Sequence, residues 1–281
     1  MEIRFWGVRG SIATASPGTA QVGGNTSCVE VRAGDEILIL DAGTGLRALG
    51  ARLLEEACAA RRPVRASLLV SHFHWDHIQG FPFFGPAYVP GNEIAIHGAG
   101  AGTREAFASQ MRAPHFPVGL DVMRAHLSFH GVTAGEAFSI GDVRVRTAAA
   151  AHPNGCLAYR IEHGGRAIVY ATDTEHDAGG AIDESLCALA RGADVLIYDA
   201  QYTSEEYAAK RGWGHSTADE GARLAAAAGV DRLVLFHHDP AHDDWQVARI
   251  EAAARAQFPR TVAAREGLTL VLDGSSGRAA A

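Results

Sequence analysis

Cysteine is scarce in this chain: there are four, Cys28, Cys58, Cys156 and Cys187, with no C-x-x-C spacing among them. Reduced thiols in a cytoplasmic setting are the simplest reading of that pattern. Long apolar runs are absent as well. None approaches the ~18 residues needed to cross a bilayer, so no membrane span is expected. The opening residues, Met1-Glu2-Ile3-Arg4-Phe5-Trp6, carry neither a basic nor an apolar targeting segment, so export is not indicated. Positive charge is the third shortage. The 25 Lys and Arg against 32 Asp and Glu leave a formal charge of -7, which argues against a long nucleic acid as partner. A small anionic substrate stays compatible, because a metal centre would add local positive charge.

Histidine, by contrast, is plentiful, with 14 in 281 residues. Three of them, with one aspartate, fall inside Ser71-His72-Phe73-His74-Trp75-Asp76-His77, directly after Ala66-Ser67-Leu68-Leu69-Val70. That preceding run is apolar and reads as a buried strand. At its end, alternation puts His72 and His74 on one side, and His77, a turn later, can swing back beside Asp76. Imidazoles and a carboxylate are the ligand set of borderline divalent ions such as zinc, and a strand edge holds them rigidly.

The same arrangement recurs further along. Strands are predicted at Ile3–Val8, Val29–Val31, Glu36–Leu40, Glu93–His97, Val143–Thr147, Leu157–Ile161, Ala167–Ala171, Asp194–Tyr198, Arg232–Phe236 and Leu268–Leu272. Helical spacing marks Leu46–Ala60, Arg104–Arg112, Ser204–Arg211, a segment from Ser216 or Thr217 to Ala228, and Trp245–Ala256. Polar residues with ligand chemistry then follow strand after strand: His152, Asp173 and His237 join His72, His74, Asp76 and His77. Asp173 is placed to bridge two ions with its two oxygens. Asp41, after the third strand, reads as an orienter of a ligating histidine rather than a ligand. His238 competes with His237 for the last position, because neighbours on a strand exit face opposite ways. His97, His115, His126 and His130 lack partner spacing and read as ordinary surface or core residues, as Arg9, Arg47 and Arg112 read as solvated arginines. The segments Phe81–Pro90 and Ala113–Val118, rich in aromatics and proline, are loops that could cover the site. Strands interleaved with helices in both halves, each half supplying ligands, suggest an α/β architecture of two sheets packed face to face inside helical layers.

On these residues the chain resembles the metallo-β-lactamase superfamily, whose H-x-H-x-D-H motif matches His72, His74, Asp76 and His77 position for position. The resemblance implies a four-layer αββα sandwich with two mixed sheets, here as one domain over residues 1–281. It implies two divalent ions; the nitrogen-rich ligand set favours zinc first, and its carboxylates keep manganese second. One ion would take His72, His74, His152 and a shared Asp173; the other would take Asp76, His77, His237 and the same Asp173. Asp76 would also orient the nucleophile or accept its proton. Gly24-Asn25-Thr26-Ser27-Cys28 and Gly214-His215-Ser216-Thr217 narrow the likeness to the phosphodiesterase branch, which includes ribonuclease Z and cyclic-phosphate phosphodiesterases. In that branch His215 is the candidate to protonate the leaving alkoxide.

The expected activity is cleavage of a small cyclic or 3′-terminal phosphate ester. A carbon-ester hydrolase on the same metals, a lactonase or a thioesterase like glyoxalase II, is the alternative. Transfer-RNA 3′ processing ranks lower, since no long basic, glycine-rich insertion is present. A homodimer is an expectation from the family alone.

Overall fold

The computed structural model describes residues 1–177 and 179–273. Two seven-stranded sheets face each other. The first takes β1 (Glu2–Gly7), β2 (Cys28–Ala33), β3 (Glu36–Leu40), β4 (Arg65–Leu69), β5 (Glu93–Ala99) and β6 (His126–Val132) in chain order. The second takes β7 (Ala137–Ile140), β8 (Val143–Ala150), β9 (Cys156–His163), β10 (Arg166–Ala171), β11 (Val195–Asp199), β12 (Arg232–Phe236) and β13 (Thr261–Ala263). The chain then returns to the first sheet, where β14 (Thr269–Val271) pairs antiparallel with β1.

Each sheet is antiparallel at one end and parallel at the other. In the first, β3 to β6 run parallel; in the second, β10 to β13 do. Parallel neighbours need long crossovers. Here α1 (Leu46–Ala60) links β3 to β4 and α3 (Thr103–Gln110) links β5 to β6. On the second sheet α4 (Glu184–Ala190), α6 (Ala218–Ala228) and α7 (Asp244–Gln257) do the same, while α2 (Trp75–Ile78) and α5 (Ser204–Tyr207) are single turns.

Alternation along the strands sorts the core into three layers. Phe5, Val31, Leu40 and Leu69 meet Val145, Ile161, Tyr170, Ile197 and Phe236 between the sheets. Ile39, Leu68 and Ile96 face outward under α1 and α3 with Leu49, Leu53 and Phe107. Leu196, Leu233 and Leu235 lie under α4 and α6 with Leu186, Leu224 and Ala225. Strands covered on both faces therefore read as continuous apolar runs, as β11 and β12 do. This is the αββα sandwich expected from the sequence.

Differences from expectation are local. Strands β6, β7 and β13 carried too little apolar alternation to be foreseen; β6 and β7 are half-exposed, and β13 has three residues. The helix expected over Ser204–Arg211 stops at Tyr207, four residues long. Phe81–Phe83 and Gly85–Tyr88 are 3₁₀ turns, and Phe83 packs its ring edge-on against Phe116 at 5.7 Å, so the two predicted loops touch.

Candidate metal centre

Parallel strands put their C-terminal ends on one edge, and the chemistry collects there. His72 and His74 follow β4, His152 follows β8, Asp173 follows β10 and His237 follows β12. Asp41 leaves β3, and Asp199 is the last residue of β11. Three of these, Asp41, Asp173 and His237, hold positive φ angles of 60°, 49° and 59°. Non-glycine residues are held in that region only where the surroundings over-determine them, most often at functional sites. Ser11, with φ 61°, completes the rim and donates its N–H to Asp76 Oδ2 at 2.8 Å.

The donor atoms form two lobes. His72, His74 and His152 make one; Asp76, His77, Asp173 and His237 make the other, with ligand atoms within 4.8 Å of one another in each. Asp173 spans both. Its Oδ2 lies 3.1 Å from His77 Nε2 and 3.3 Å from His237 Nε2, while its Oδ1 lies 3.8 Å from His72 Nε2 and 3.7 Å from His152 Nε2. Asp76 Oδ2 is 3.2 Å from both His77 Nε2 and His237 Nε2.

A surrounding set of hydrogen bonds fixes which nitrogen of each ring faces inward. His77 donates Nδ1–H to Asp41 at 2.7 Å, His152 to the Gly214 carbonyl at 2.8 Å, and His237 to Gln201 Oε1 at 2.9 Å. Asp41 also accepts from the Ser71 N–H, the Ser71 hydroxyl and the Tyr170 hydroxyl at 2.7–2.8 Å. With its proton given to Asp41, the Ser71 oxygen accepts from His72 Nδ1 at 3.1 Å. Each of these rings thus has its Nδ1 engaged and turns its Nε2 toward the cluster.

Those inward nitrogens test whether a cation belongs there. His72 Nε2 is buried and has no hydrogen-bond partner. His74 Nδ1 meets His152 Nε2 at 3.0 Å, and His77 Nε2 meets His237 Nε2 at 3.2 Å. Such separations resemble the edge between two nitrogens on one zinc, roughly 3.3 Å for tetrahedral bonds of the usual length. Unpaired acceptors facing each other in a dry site are costly unless a cation lies between them. The donor set therefore fits divalent metal.

Burial works against charge on His77, but Asp173, Asp76 and Asp41 outweigh it and hold its pKa well above the ordinary value, a demand for positive charge that a cation would answer. Burial pushes the His72 imidazole well below its ordinary pKa, so it stays neutral and ready to ligate. Burial opposes charge on Asp173 too, but His237 and His77 outweigh it and hold its pKa well below the usual carboxylate range.

His215 stands at the rim. It donates Nδ1–H to Asp199 Oδ2 at 2.9 Å, and its ring stacks on His237 with centroids 5.0 Å apart. Burial works against its charge, but Asp199, then Asp173 and Asp76, hold its pKa up at about 9. Asp199 was not singled out in the sequence. Its place as the last residue of a buried parallel strand, like Asp41 and Asp173 just beyond theirs, was the available signal.

Close packing explains two glycines. A Cβ on Gly10 would lie 2.4 Å from the His237 ring, and one on Gly214, already at φ +85°, would lie 2.3 Å from His152 Nδ1. Other residues separate from the cluster. His238 points away, buried and donating to the Ala264 carbonyl at 3.0 Å, so His237 rather than His238 reaches the site. Arg47 and Arg112 are exposed. Arg9 corrects the reading of a solvated arginine: it is wholly buried and donates to the carbonyls of Gly23, Asp239 and His242. Those bonds tie the N-terminal loop to the loop after β12.

Comparison with known proteins places this geometry. The beta-lactamase superfamily domain matches residues 36–238. The chain belongs to the metallo-β-lactamase superfamily, and it is a metal-dependent hydrolase. Curated superfamily relatives include a ribonuclease Z of Methanothermobacter thermautotrophicus, 26% identical with 96% of each chain covered. A ribonuclease Z of Gemmatimonas aurantiaca is 40% identical over 108 residues, a region spanning 38% of this chain and 32% of that one. Among solved structures, the metallo-β-lactamase fold protein YhfI from Bacillus subtilis superposes with TM-score 0.72 at 19% identity, covering 96% of this chain and 98% of that one. A diphosphatase from the PhnP family gives 0.67 at 17% identity, covering 97% and 98%. At these identities the structural likeness is one of fold. Taken together, the likenesses fall in the phosphodiesterase branch of the superfamily.

Proposed function

We propose that this superfamily member is a dinuclear phosphodiesterase acting on a small cyclic or 3′-terminal phosphate ester, with zinc as the first choice of metal and manganese the second. His72, His74 and His152 would hold one ion, and Asp76, His77 and His237 the other, with Asp173 shared. When bound, such a pair activates water as a nucleophile and neutralises charge on the phosphoryl oxygens. The chain's own residues supply the rest. Asp76 would orient such a water or accept its proton. His215, its ring fixed through Nδ1 by Asp199, would give a proton to the departing alkoxide from Nε2.

The observation that carries this reading is the His215–Asp199 pair beside the two-lobed donor cluster. A carbon-ester hydrolase on the same cage has less use for a charged acid there. The test is turnover of bis(p-nitrophenyl) phosphate by metal-loaded protein, run beside a thioester and a lactone. Hydrolysis of the phosphodiester is expected, and cleavage of the carbon esters alone would overturn the reading. His215→Ala should lower kcat about 10²- to 10⁴-fold with metal content unchanged; loss of metal instead would remove the acid role.

Transfer-RNA 3′ processing is the second reading, favoured by the name ribonuclease Z on the relatives and opposed by the chain's net charge of -7. Incubation with a precursor transfer RNA carrying a 3′ trailer separates the two.

A further inference from the structure

Asp199 fixes the His215 ring at one atom, Nδ1. The rest of its placement is set by the chain around it, Gly212-Trp213-Gly214-His215-Ser216. Gly212 and Gly214 hold φ at +84° and +85°. Two glycines so close together leave a loop many conformations to choose from unless something pins it.

One carboxylate does the pinning. Glu175 accepts from the Gly212 N–H through Oε1 at 2.7 Å and from the Gly214 N–H through Oε2 at 2.8 Å. The Tyr207 hydroxyl donates to the same Oε1 at 2.9 Å, so the direction of the carboxylate is itself fixed. A carboxylate in this position supplies acceptors to amides that the loop leaves without a carbonyl partner. On the other side of His215, the Ser216 hydroxyl is bonded to His176 Nδ1 at 2.9 Å, and the His176 and Tyr207 ring centroids lie 4.1 Å apart. The two chain neighbours of His215 are thus held by two consecutive residues, Glu175 and His176. Those residues follow Asp173 by two and three positions, and the Glu175 N–H donates at 2.7 Å to the carbonyl of Ala151, the residue before His152. The segment after β10 therefore ties together Asp173, the His152 loop and the His215 loop.

We infer that Glu175 is a positioning residue for the acid: through the Gly212 and Gly214 backbone it places His215 Nε2 where its proton passes to the alkoxide oxygen as the P–O bond breaks. This rests on the phosphodiesterase reading, in which His215 is the acid, and adds the residue that keeps the acid in register with the donor cluster. Such placement matters because a misplacement of about 1 Å can cost on the order of 10²-fold in rate.

Glu175→Gln tests it, since the amide keeps the shape and one acceptor but turns an NH₂ group toward the second N–H. Metal-loaded wild type and variant are compared on two esters: bis(p-nitrophenyl) phosphate, whose p-nitrophenolate departs without a proton, and uridine 2′,3′-cyclic phosphate, whose leaving group is an alkoxide. The ratio of kcat on the cyclic ester to kcat on the aryl ester should fall about 10- to 100-fold in Glu175→Gln. In a His215→Ala background the same substitution should leave that ratio where it was, because the group being positioned is gone. An equal loss on both esters, or a further fall of the ratio in the His215→Ala background, overturns the inference and leaves Glu175 a support of the fold alone. Amide exchange followed by NMR is a readout free of turnover. The Gly212 and Gly214 N–H groups should exchange about tenfold faster in Glu175→Gln, and unchanged exchange would also overturn the inference. If wild type hydrolyses neither ester while exchange quickens in the variant, the phosphodiesterase reading fails and the placement of the His215 loop by Glu175 stands.

Discussion

Asp41 shows how much of this site depends on a residue that would touch no ion. Its two oxygens accept from the Ser71 N–H and hydroxyl, the Tyr170 hydroxyl and His77 Nδ1, all at 2.7–2.8 Å and all buried. An amide can accept at one atom only, so Asp41→Asn must turn a donor toward at least one of these donors. Orienting partners of this kind are typically worth 10- to 100-fold in metal affinity. Asp41→Asn is accordingly expected to weaken zinc binding by about that factor, measured by competition with a chromophoric chelator, while circular dichroism stays native. Unchanged affinity would show that Ser71 and Tyr170 can orient His77 unaided. The residues legible in the sequence were those whose chemistry is dense along the chain, His72 to His77, or punctuates a strand end, His152, Asp173 and His237. Asp199 and Gln201 became visible only in space, because what they do is decided by the ring each one faces.

Elements carry their own titration. On β5 and β6, His97 and His130 stack at 4.6 Å, and Phe138 of β7 covers His97 from 5.1 Å. Burial, helped by His130, pushes the His97 pKa down to about 4 from its ordinary 6.5. Between those two values the unfolded chain takes up a proton that the folded sheet refuses. Stability from this group is thus complete above about pH 6.5 and drains away as pH falls toward 4. His97→Phe keeps a ring in the stack and removes the titration. Urea unfolding of chelator-treated protein should show the variant losing less stability than wild type between pH 7 and 5; parallel pH profiles would assign the loss elsewhere. The same strands explain what the pattern could not reveal. Strands β10 to β12 are covered on both faces and read as apolar runs, whereas β6 and β7 present mixed, half-wet faces, β6 pairing with the distant β5 and β7 closing a short hairpin with β8. Helix ends were easier: Thr217 caps α6 by accepting from the Glu220 N–H at 3.2 Å, while Ser216, the other candidate, bonds His176 and Tyr198 instead.

In the whole molecule, the donors divide between the sheets: His72, His74, Asp76 and His77 follow the first, and His152, Asp173 and His237 the second. An ion pair would therefore tie two layers that otherwise meet through apolar contact. A ligand that binds only the folded state adds about 2.7 kcal/mol at a hundredfold excess over its Kd, or roughly 5–10 °C in Tm for a chain of this size. Removing metal with a chelator should lower Tm by that much, and zinc or manganese should restore it, read by scanning calorimetry. A Tm indifferent to both ions would leave the cage without a cation to hold. The left-handed backbone at positions 41, 173 and 237 sets a limit on how such a protein can be improved. An engineer wanting only a hardier scaffold would write glycine at all three, easing the chain and erasing the very groups that ions and rings lean on. Ruggedness and chemistry compete along this one rim.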